Sequence, residues 1–567
     1  MLAAISNGGQ GRKKFIFSDL AEVASRVARP DGKPGRQLKI IKKKFPNPPF
    51  PHTLAHNPSE LARPRPATLL LSTSTVPHSL LQIQTAMLAS SASKPFLSTA
   101  SLRLLSLTRR RSLTCFANRL VAHPPDLLRW VRREGGSVHP NLTISDDSDL
   151  GLGVFSTGEI SAGSELIDLP SHLPLRWNRP AGPTSDKDDS VLAQMAEQIP
   201  EELWAMRLGL RLLQERAKDD SFWWPYVSNL PETFTVPIFF SGEDIKNLQY
   251  APLLHQVNLR CRFLFNFEKQ VKTLLNDISQ MDHPFGGQDV NSASLGWAMS
   301  AVSSRAFRLH GKALPNGRHE EVPMLLPLID MCNHSFTPNA SIVQERDASS
   351  PNMSVKVVVD KEIEQNTPVT LNYGCLSNDL FLLDYGFVVP SNPYDQVELR
   401  YDGTLLDAAS MAAGVSSPNC SSPTKWQQDI LSKLNLLGDK ALLKVTLGGP
   451  ELIDGRLLAA LRVLISSDKE LAQKHSLDTL MVLGDGDPPL GASVEAAALR
   501  TVIALCVISL EHFPTKIMQD ESVIKADVSP ATQLAVQFRM QKKLMLVDLT
   551  RKLSQRVKML SKEKSTA

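Results

Sequence analysis

The spacing of apolar residues predicts one helix and then short strands in the first patterned part of the chain. Residues 124–136, PPDLLRWVRREGG, carry apolar side chains on one helical face and end in glycines. Residues 142–170 alternate β-like runs with turns, as in GLGVFS, TGEISAG and SELIDLP. This region is therefore expected to be rich in strands.

The pattern then becomes helical and later returns to strands. Residues 188–223 repeat apolar residues at helical spacing, and helical patterns continue across about 242–310, including WAMSAVSSRAF. Strand patterns return at 340–344 and 353–359, and a third strand ends in LNYG. Two strand-rich pieces therefore flank a helical stretch, which predicts one β domain that is interrupted in sequence.

Beyond about residue 403 the pattern is helical. The segment SVEAAALRTVIALCVISLEHF is apolar on most faces, as in a buried helix, and LGDGDPPLG before it is a loop. A further helix is predicted to start with Ser529 as its cap and Pro530 at its first position. Four apolar residues of that helix share one face: Leu534, Phe538, Met545 and Leu549.

The net charge of +4 hides a strong asymmetry between the two parts of the chain. Residues 1–120 hold 19 Lys and Arg against 4 Asp and Glu, which leaves 43 against 54 in the remainder. The patterned part is thus net acidic, and its bulk charge gives no support for nucleic-acid binding, which needs clustered Lys and Arg.

The segment from Met87 to about residue 121 has the composition of an organelle transit peptide. Residues 87–120 contain one Lys, five Arg, many Ser and Thr, and no Asp or Glu. The Ser and Thr content favours a chloroplast over a mitochondrial address, and a disordered basic tail is the alternative. Residues 1–86 are basic and proline-rich. We interpret them as a disordered or non-native upstream extension, with Met87 as the true start.

Cysteine spacing and hydropathy indicate which kinds of protein the chain does not resemble. None of the six cysteines forms a CxxC pair, which argues against a structural zinc site or a disulfide framework and favours a reducing compartment. No uninterrupted apolar stretch reaches the 18–20 residues or so of a membrane span. We therefore expect a soluble protein that holds no metal and does not associate with membranes.

Several segments could carry chemistry, and the residues alone leave alternatives open. LIDMCNHS, residues 328–335, could be a metal site, a thiol nucleophile, a histidine base or a structural turn. Gly151 and Gly153 fit either an ordinary turn or a backbone that approaches a ligand closely. Arg305, within small and apolar residues, either reaches solvent or pairs with an anion. Tyr373 and Tyr385 stand in matching LNYG and LDYG phrases.

Together and in this order, these pieces resemble the SET-domain protein methyltransferases. The subclass is that of the plant Rubisco large-subunit lysine methyltransferase and its relatives, which include the actin-histidine methyltransferase. The matching phrases are GLGVFSTGEISAGSEL, VSSRAF, PLIDMCNHSFTPNA and LNYGCLSNDLFLLDYGFVVPSNPYD. LEHFPTKIMQDESVI and ATQLAVQFRMQKKLML resemble the substrate-binding domain of that subclass. The resemblance covers about residues 122–550.

The resemblance implies an α+β fold: a SET β-fold with a pseudoknot, interrupted by a helical insert and followed by an all-α C-terminal domain. It implies the following domains: SET parts at 122–195 and 301–395, an insert at 196–300, a substrate-binding domain at 403–552 and a basic tail at 553–567. We expect a monomer.

The resemblance also implies roles for individual residues. Tyr373 is expected at the methyl-transfer channel. Ser304, Asp330 and Tyr385 are expected to line the entry of the target side chain. The co-substrate S-adenosylmethionine (AdoMet) is expected to contact Gly151, Leu152, Gly153, Arg305, Asn333 and His334. Relatives often carry an acidic residue directly before the GLG phrase, whereas this chain has Leu150 there and Asp149 one place earlier.

The residue types agree with this chemistry. Methyl transfer from a sulfonium to an amine is an in-line displacement, which needs an aligned neutral nucleophile and no covalent enzyme intermediate. We therefore expect AdoMet-dependent N-methylation of a lysine on a soluble plastid protein in the chloroplast stroma. The alternatives are protein-histidine methylation and a non-catalytic SET-derived scaffold, for example in plastid transcription.

Overall fold

The computed structural model describes residues 120, 122–147, 151–177, 187–280, 282–313, 319–346, 353–415, 420–439 and 441–566. The predicted upstream extension and, apart from Leu120, the predicted transit peptide lie outside these residues. Leu150, where the sequence departs from its relatives, lies outside them as well. The described residues belong to two compact units, Thr99–Asp395 with Thr515–Lys542 and Gln396–Pro514 with Lys543–Ala567. We call them the larger unit and the smaller unit.

The strands lie mainly in the larger unit. They are β1 Ser137–Val138, β2 Leu142–Asp147, β3 Gly151–Ser156, β4 Glu165–Leu169, β5 Leu175–Arg176, β6 Ala306–Ala313, β7 His319–Leu325, β8 Asn333–His334, β9 Ala340–Arg346, β10 Met353–Val359, β11 Thr370–Leu371, β12 Gln396–Arg400 and β13 Lys444–Gly448.

The α-helices are α1 Pro124–Arg133, α2 Lys187–Glu197, α3 Ala205–Ala217, α4 Trp224–Val227, α5 Gly242–Asn247, α6 Ala251–Leu275, α7 Ser292–Arg305, α8 Asn378–Leu380, α9 Gly403–Ala412, α10 Lys425–Lys433, α11 Gly455–Ile465, α12 Lys469–Lys474, α13 Leu477–Met481, α14 Ala492–Glu511, α15 Ile517–Ile524 and α16 Pro530–Thr566. A π-helix, Phe381–Tyr385, continues α8, and 3₁₀ turns occur at Glu201–Leu203, Pro237–Phe239 and Ile329–Met331.

Strand pairing confirms one β domain interrupted by helices. In the four-stranded sheet β1-β4-β10-β9, strand β4 from before the helical stretch pairs with β10 from after it, with Val357 opposite Ile167. The three-stranded sheet β5-β7-β6 likewise joins both pieces, and β2 pairs with β3. Alternating burial along β10, where Val355, Val357 and Val359 are buried, places one face of its sheet on the core.

One parallel pair brings distant motifs together. Strand β8 pairs with β11, with Asn333 opposite Thr370 and His334 opposite Leu371. The Ser335 N–H donates to the Leu371 carbonyl over 3.0 Å. The pseudoknot that the resemblance implies brings residues 330–335 beside residues 373–385. This pairing, together with the contacts of His334 with Tyr373 and Phe381, confirms it.

The prediction of helical structure across about 242–310 is wrong at its C-terminal end. Helix α7 ends at Arg305, because Ala306 adopts an extended conformation with φ −77° and ψ 133°. Strand β6 starts there and pairs antiparallel with β7, with Phe307 opposite Met324. The helix-to-strand change therefore falls directly after Arg305.

The C-terminal region is helical as predicted, with one strand pair in addition. Strands β12 and β13 form an antiparallel ladder in which Glu398 lies opposite Thr446. The valine and the threonine of KVTLG suit a half-buried strand, with Val445 and Leu447 buried. The predicted cap holds, since Ser529 Oγ accepts the N–H of Thr532 over 3.1 Å and α16 starts at Pro530.

Helix α14 is the one helix of the described residues that is long and apolar enough to cross a membrane by length and composition. Its apolar window has a mean hydropathy of 1.8, although Glu495 and Arg500 interrupt it. Of that window, 67% is buried inside the protein. Burial on this scale is typical of a core helix.

Candidate functional site

A cavity of about 420 Å³ in the larger unit brings together five of the predicted site residues. Its wall includes Ser304, Arg305, Asp330, Tyr373 and Tyr385, which are spread over 82 positions of sequence. The wall also includes six side chains that the sequence did not single out: Trp204, Phe307, Arg308, Leu376, Leu380 and Asp384.

These residues lie at the ends of helices and strands or in turns. Ser304 and Arg305 close α7, and Tyr373 follows β11 by two positions. Asp330 sits in a 3₁₀ turn whose preceding residue, Leu328, is buried with φ at 71°. Such a backbone costs a non-glycine residue about 1–3 kcal/mol and is concentrated at functional sites. The turn is therefore held by its surroundings in a conformation that presents Asp330.

Gly386 ends the segment that carries Tyr385. Its φ is 80°, and an added Cβ would lie 2.8 Å from the Thr235 carbonyl oxygen. Only glycine can adopt this φ without strain and also leave room for the Thr235 carbonyl without displacement of the backbone. The glycine of the LDYG phrase thus fixes where the π-helix stops and where Tyr385 points.

Tyr373 is held by its hydroxyl and by two rings. The hydroxyl donates to the Cys332 carbonyl over 2.6 Å. The ring stacks on Tyr385 with centroids 5.2 Å apart and meets the edge of Phe307 at 6.3 Å. Burial raises the pKa of Tyr373 well above its usual range and that of Tyr385 to about 12. Both phenols are neutral, so Tyr373 can orient a reactant but cannot act as an anionic base near neutral pH.

Asp330 is buried in a polar network. The Tyr226 hydroxyl donates to its Oδ2 over 2.5 Å, and both side chains are inaccessible to solvent. Arg305 Nη1 donates to the Asp330 carbonyl over 3.0 Å and lies 3.8 Å from Oδ1. Asp330 Oδ1 and Arg305 Nε are buried without a hydrogen-bond partner among the described residues. Two polar atoms of this wall are therefore available to a bound molecule.

Burial raises the pKa of Asp330 to about 6, although Arg305 and Tyr226 favour the ionised form. Because the folded state binds this proton more tightly than the unfolded state, stability from Asp330 falls as the pH rises from about 4 to about 6. We expect the unfolding free energy of the wild type, relative to Asp330→Asn, to fall by about 3 kcal/mol across this window. Denaturant unfolding at pH 4, 5, 6 and 7 measures the difference.

Tyr226→Phe provides the second arm of this test. It removes the donor that favours the carboxylate, so the folded-state pKa of Asp330 and with it the upper end of the pH window should rise. A difference between wild type and Asp330→Asn that stays constant from pH 4 to 7 would show that Asp330 does not titrate in this way.

A second group of predicted residues lies next to this wall but does not line the cavity. An added Cβ on Gly153 would lie 2.6 Å from Asn333 Nδ2, so the β3 backbone approaches Asn333 as closely as glycine permits. Gly151 has φ at 71° and open space around it, and Leu152 is 39% exposed. Asn333 Nδ2 is buried without a hydrogen-bond partner among the described residues.

His334 connects the two groups. Its Nδ1 accepts the N–H of Tyr373 over 3.2 Å, and its ring packs at 4.9 Å from Phe381 and 4.7 Å from Phe336. Burial lowers its pKa, so the ring is neutral and its proton lies on Nε2. Nε2 is buried and unpaired within the described part of the chain. His334 thus packs against aromatic rings while its backbone pairs with β11.

The nucleophile and metal interpretations of LIDMCNHS find no support in this arrangement. Cys332 is fully buried, and burial together with Asp330 raises the pKa of its thiol well above the usual range, which disfavours a thiolate. Within the described residues no group of three His, Cys, Asp or Glu side chains could hold a metal ion. The segment supplies a backbone acceptor, a carboxylate and an amide instead.

Sequence reasoning missed Tyr226 and the charged rim of the cavity. Tyr226 lies in the Pro- and aromatic-rich segment WWPYVSNLP, where only its position shortly after two tryptophans sets it apart. At the rim, Asp384 accepts from Arg260 Nη1 over 2.6 Å, and the Arg308 guanidinium lies 4.8 Å from the Trp204 ring centroid. Asp384 belongs to the LDYG phrase, so a charged residue beside Tyr385 was the available signal.

Two family models match the chain. The SET domain matches residues 151–374, and the Rubisco LSMT substrate-binding domain matches residues 421–546. Among curated proteins, the actin-histidine N-methyltransferase of Gallus gallus is 24% identical over 439 residues, or 74% of this chain and 67% of that protein. The Homo sapiens protein of the same name is 24% identical over 440 residues, with the same shares.

Solved structures agree on the fold. The SET domain of LSMT bound to lysine and AdoHcy matches with a TM-score of 0.53 at 19% identity, over 77% of this chain and 92% of that one. Rubisco LSMT bound to AdoMet matches with a TM-score of 0.52 at 18% identity, over 77% and 93%. The two matches show that the chain contains a SET domain, at residues 151–374, followed by a Rubisco LSMT substrate-binding domain, at residues 421–546.

Proposed function

We propose that this protein is an AdoMet-dependent protein-lysine N-methyltransferase that acts on a soluble chloroplast protein in the stroma. The observation that carries the proposal is the position of the neutral Tyr373 hydroxyl. It is bonded to the Cys332 carbonyl at the wall of an aromatic cavity and lies beside the Gly153–Asn333–His334 group.

The residues of the site fit AdoMet. The close approach of Gly153 to Asn333 provides a backbone cradle that a side chain would fill. Unpaired buried atoms on Arg305 and Asn333 are positioned to receive polar groups of a ligand, and Arg305 suits a carboxylate. AdoMet, when bound, supplies an electrophilic methyl group on a sulfonium centre. Leu152, partly exposed between the two glycines, would contact the same ligand.

The protein supplies alignment and desolvation for the nucleophile. The Tyr373 hydroxyl and the Cys332 carbonyl are fixed by their own hydrogen bond, so both can orient an amine and accept weak C–H···O contacts. The rings of Phe307, Tyr373 and Tyr385 suit the aliphatic part of a lysine, and exclusion of water from the cavity would disfavour its charged ammonium form. Ser304 and Asp330, on the same wall, complete the polar side of the entry.

Histidine methylation is the second candidate. The matched curated relatives are named actin-histidine N-methyltransferases. An imidazole needs a partner for its second ring nitrogen, and Asp330 Oδ1 is a buried acceptor that lacks one among the described residues. The lysine proposal is favoured here by the aromatic walls.

Labelled AdoMet tests the proposal directly. Residues 116–567 are incubated with chloroplast stroma, cytosolic extract and purified actin, and the labelled residue is identified by mass spectrometry. We expect a stromal protein labelled on lysine. Label on histidine would support the second candidate, and binding of AdoMet without labelling of any extract would favour a scaffold. A chain that does not bind AdoMet would overturn the enzyme proposal.

Gly153→Ala is expected to lower AdoMet affinity by about tenfold or more, because the new methyl group would overlap Asn333 Nδ2 at 2.6 Å and displace it. Gly158→Ala is the matched control. Its added Cβ would lie 3.0 Å from the side-chain amide of Asn141, which is not among the residues assigned to AdoMet. Calorimetric titration with AdoMet compares the two. Equal affinity in Gly153→Ala and wild type would show that Asn333 does not form part of the binding site.

A further inference from the structure

A fully buried lysine from α16 lies in the larger unit. Lys542 has no exposed side-chain surface. Its Nζ donates to a carboxylate oxygen of Asp379 and, over 2.7 Å, to Asp395 Oδ1. The Tyr250 and Phe538 ring centroids lie 5.3 and 5.2 Å from Nζ. The lysine thus meets two anions and two aromatic rings, an arrangement that compensates a buried cation.

The two carboxylates organise the start of the helical segment 378–385. Asp395 accepts the backbone N–H of Asn378 over 3.0 Å and its side-chain amide over 3.1 Å. The Asn378 side chain also bonds both backbone groups of Val389, at 2.9 and 3.0 Å. Asn378 and Asp395 are both buried, whereas the Asp379 side chain keeps 23% of its surface exposed. Lys542 is the cation that holds its two carboxylates together.

The same helical segment forms one wall of the cavity. After Asn378 and Asp379 it contributes Leu380, Asp384 and Tyr385 to the cavity lining. Tyr385 stacks on Tyr373 at 5.2 Å. Only six positions separate Asp379 from Tyr385, so a shift at the first turn would move the ring that orients Tyr373.

We propose that Lys542 is a positioning residue for the active site: through Asp379 and Asp395 it fixes the helical segment that presents Tyr385 against Tyr373. Lys542 belongs to the region matched by the substrate-binding domain, residues 421–546. The matched region therefore includes a residue that supports the cavity wall without lining it. This inference rests on the proposed function, since it concerns the geometry of methyl transfer.

Lys542→Met in residues 116–567 tests the role, because methionine keeps the length of the chain and loses the charge. Lys543→Met is the matched control. Lys543 is the next residue of the same helix and is also buried, but its Nζ lies 5.2 Å from the ring of Phe513. Asp379→Asn is the conservative variant should Lys542→Met fail to fold, since it keeps the shape of the side chain and weakens one ion pair.

Two measurements separate positioning from general loss of stability. We expect the maximal rate of methyl transfer into stromal extract to fall about tenfold or more in Lys542→Met, since small misplacements have large effects on rate. The KM for AdoMet should change less than about threefold. Asp379→Asn should show a smaller fall of the same kind, and Lys543→Met should keep the rate at a temperature where it is folded.

Hydrogen–deuterium exchange gives a readout that does not need activity. Peptides covering 376–395 should exchange faster in Lys542→Met and Asp379→Asn than in wild type or Lys543→Met. Unchanged exchange and unchanged rate in folded Lys542→Met, or an equal loss in Lys543→Met, would overturn the inference. A wild-type protein that transfers no methyl group while the exchange pattern holds would instead count against the proposed function alone.

Discussion

Replacing Tyr373 with phenylalanine is expected to reduce methyl transfer by about 10²–10³-fold, the usual loss when one fixed polar group at a reaction centre is removed. The change deletes a single oxygen, whose hydrogen bond to the Cys332 carbonyl measures 2.6 Å. Stacking on Tyr385 and the contact with Phe307 need only the ring and should persist. The rate loss should therefore reflect lost orientation of the nucleophile.

Single-turnover rates with AdoMet and a stromal acceptor measure the effect, and AdoMet affinity should stay within about threefold of wild type. Tyr401→Phe is the matched control. Tyr401 is a buried tyrosine of the smaller unit whose hydroxyl has no hydrogen-bond partner among the described residues. Its loss should leave the rate unchanged. Full activity in Tyr373→Phe would remove Tyr373 from the proposed mechanism.

The candidate site could be predicted where its residues stand in local phrases. LIDMCNHS, LNYG and LDYG each keep a polar residue beside a buried strand or helix end, and the structure brings Asp330, Tyr373 and Tyr385 into one cavity. Tyr226 could not be found in this way. Its hydrogen bond to Asp330 spans 104 positions of sequence, and its own neighbours give no sign of that partner.

The boundary after Arg305 shows a related limit. Phe307 continues an apolar spacing that a helix and a strand can both use, so the sequence pattern favours continuation of α7. Pairing with β7 stabilises the strand conformation instead, because Ala306 and Phe307 lie opposite Leu325 and Met324. Tertiary pairing thus overrides the local pattern, as is common for short apolar runs.

Helix α16 shows why buried charge escapes a pattern of apolar residues. The sequence identifies a face with Leu534, Phe538, Met545 and Leu549, of which Phe538 and Leu549 are buried. The structure also buries three cations of this helix: Arg539, Lys542 and Lys543. For Arg539 and Lys542 the charged partners come from other segments, at Asp520 and at residues 379 and 395. A sequence pattern predicts that charged positions are exposed, because charged residues are rarely buried unless they are paired.

A second large effect is expected in the smaller unit, where Arg462→Met should lower the free energy of unfolding by about 3–5 kcal/mol. Arg462 is fully buried and forms a two-pronged ion pair with Glu495, at 2.7 and 2.8 Å. It also donates to the carbonyls of Leu480 and Val482, at 2.6 and 3.0 Å. The substitution leaves a buried carboxylate and two carbonyls without this donor. Denaturant unfolding of residues 116–567 measures the loss.

Two further variants establish that the loss comes from unpaired charge. Arg462→Met with Glu495→Met should recover most of the stability, since apolar side chains of similar volume often replace a buried ion pair at little cost. Arg556→Met breaks the pair with Asp485, whose carboxylate is fully exposed, and should change stability by less than about 1 kcal/mol.

The functional consequence follows from where these residues lie. Arg462 and Glu495 belong to the smaller unit, whereas the residues assigned to AdoMet belong to the larger one. At a temperature above the unfolding midpoint of the smaller unit and below that of the larger unit, Arg462→Met should stop methylating a protein acceptor while it still binds AdoMet. Simultaneous loss of both activities in Arg462→Met would mean that the two units unfold together and that the buried ion pair also supports the site.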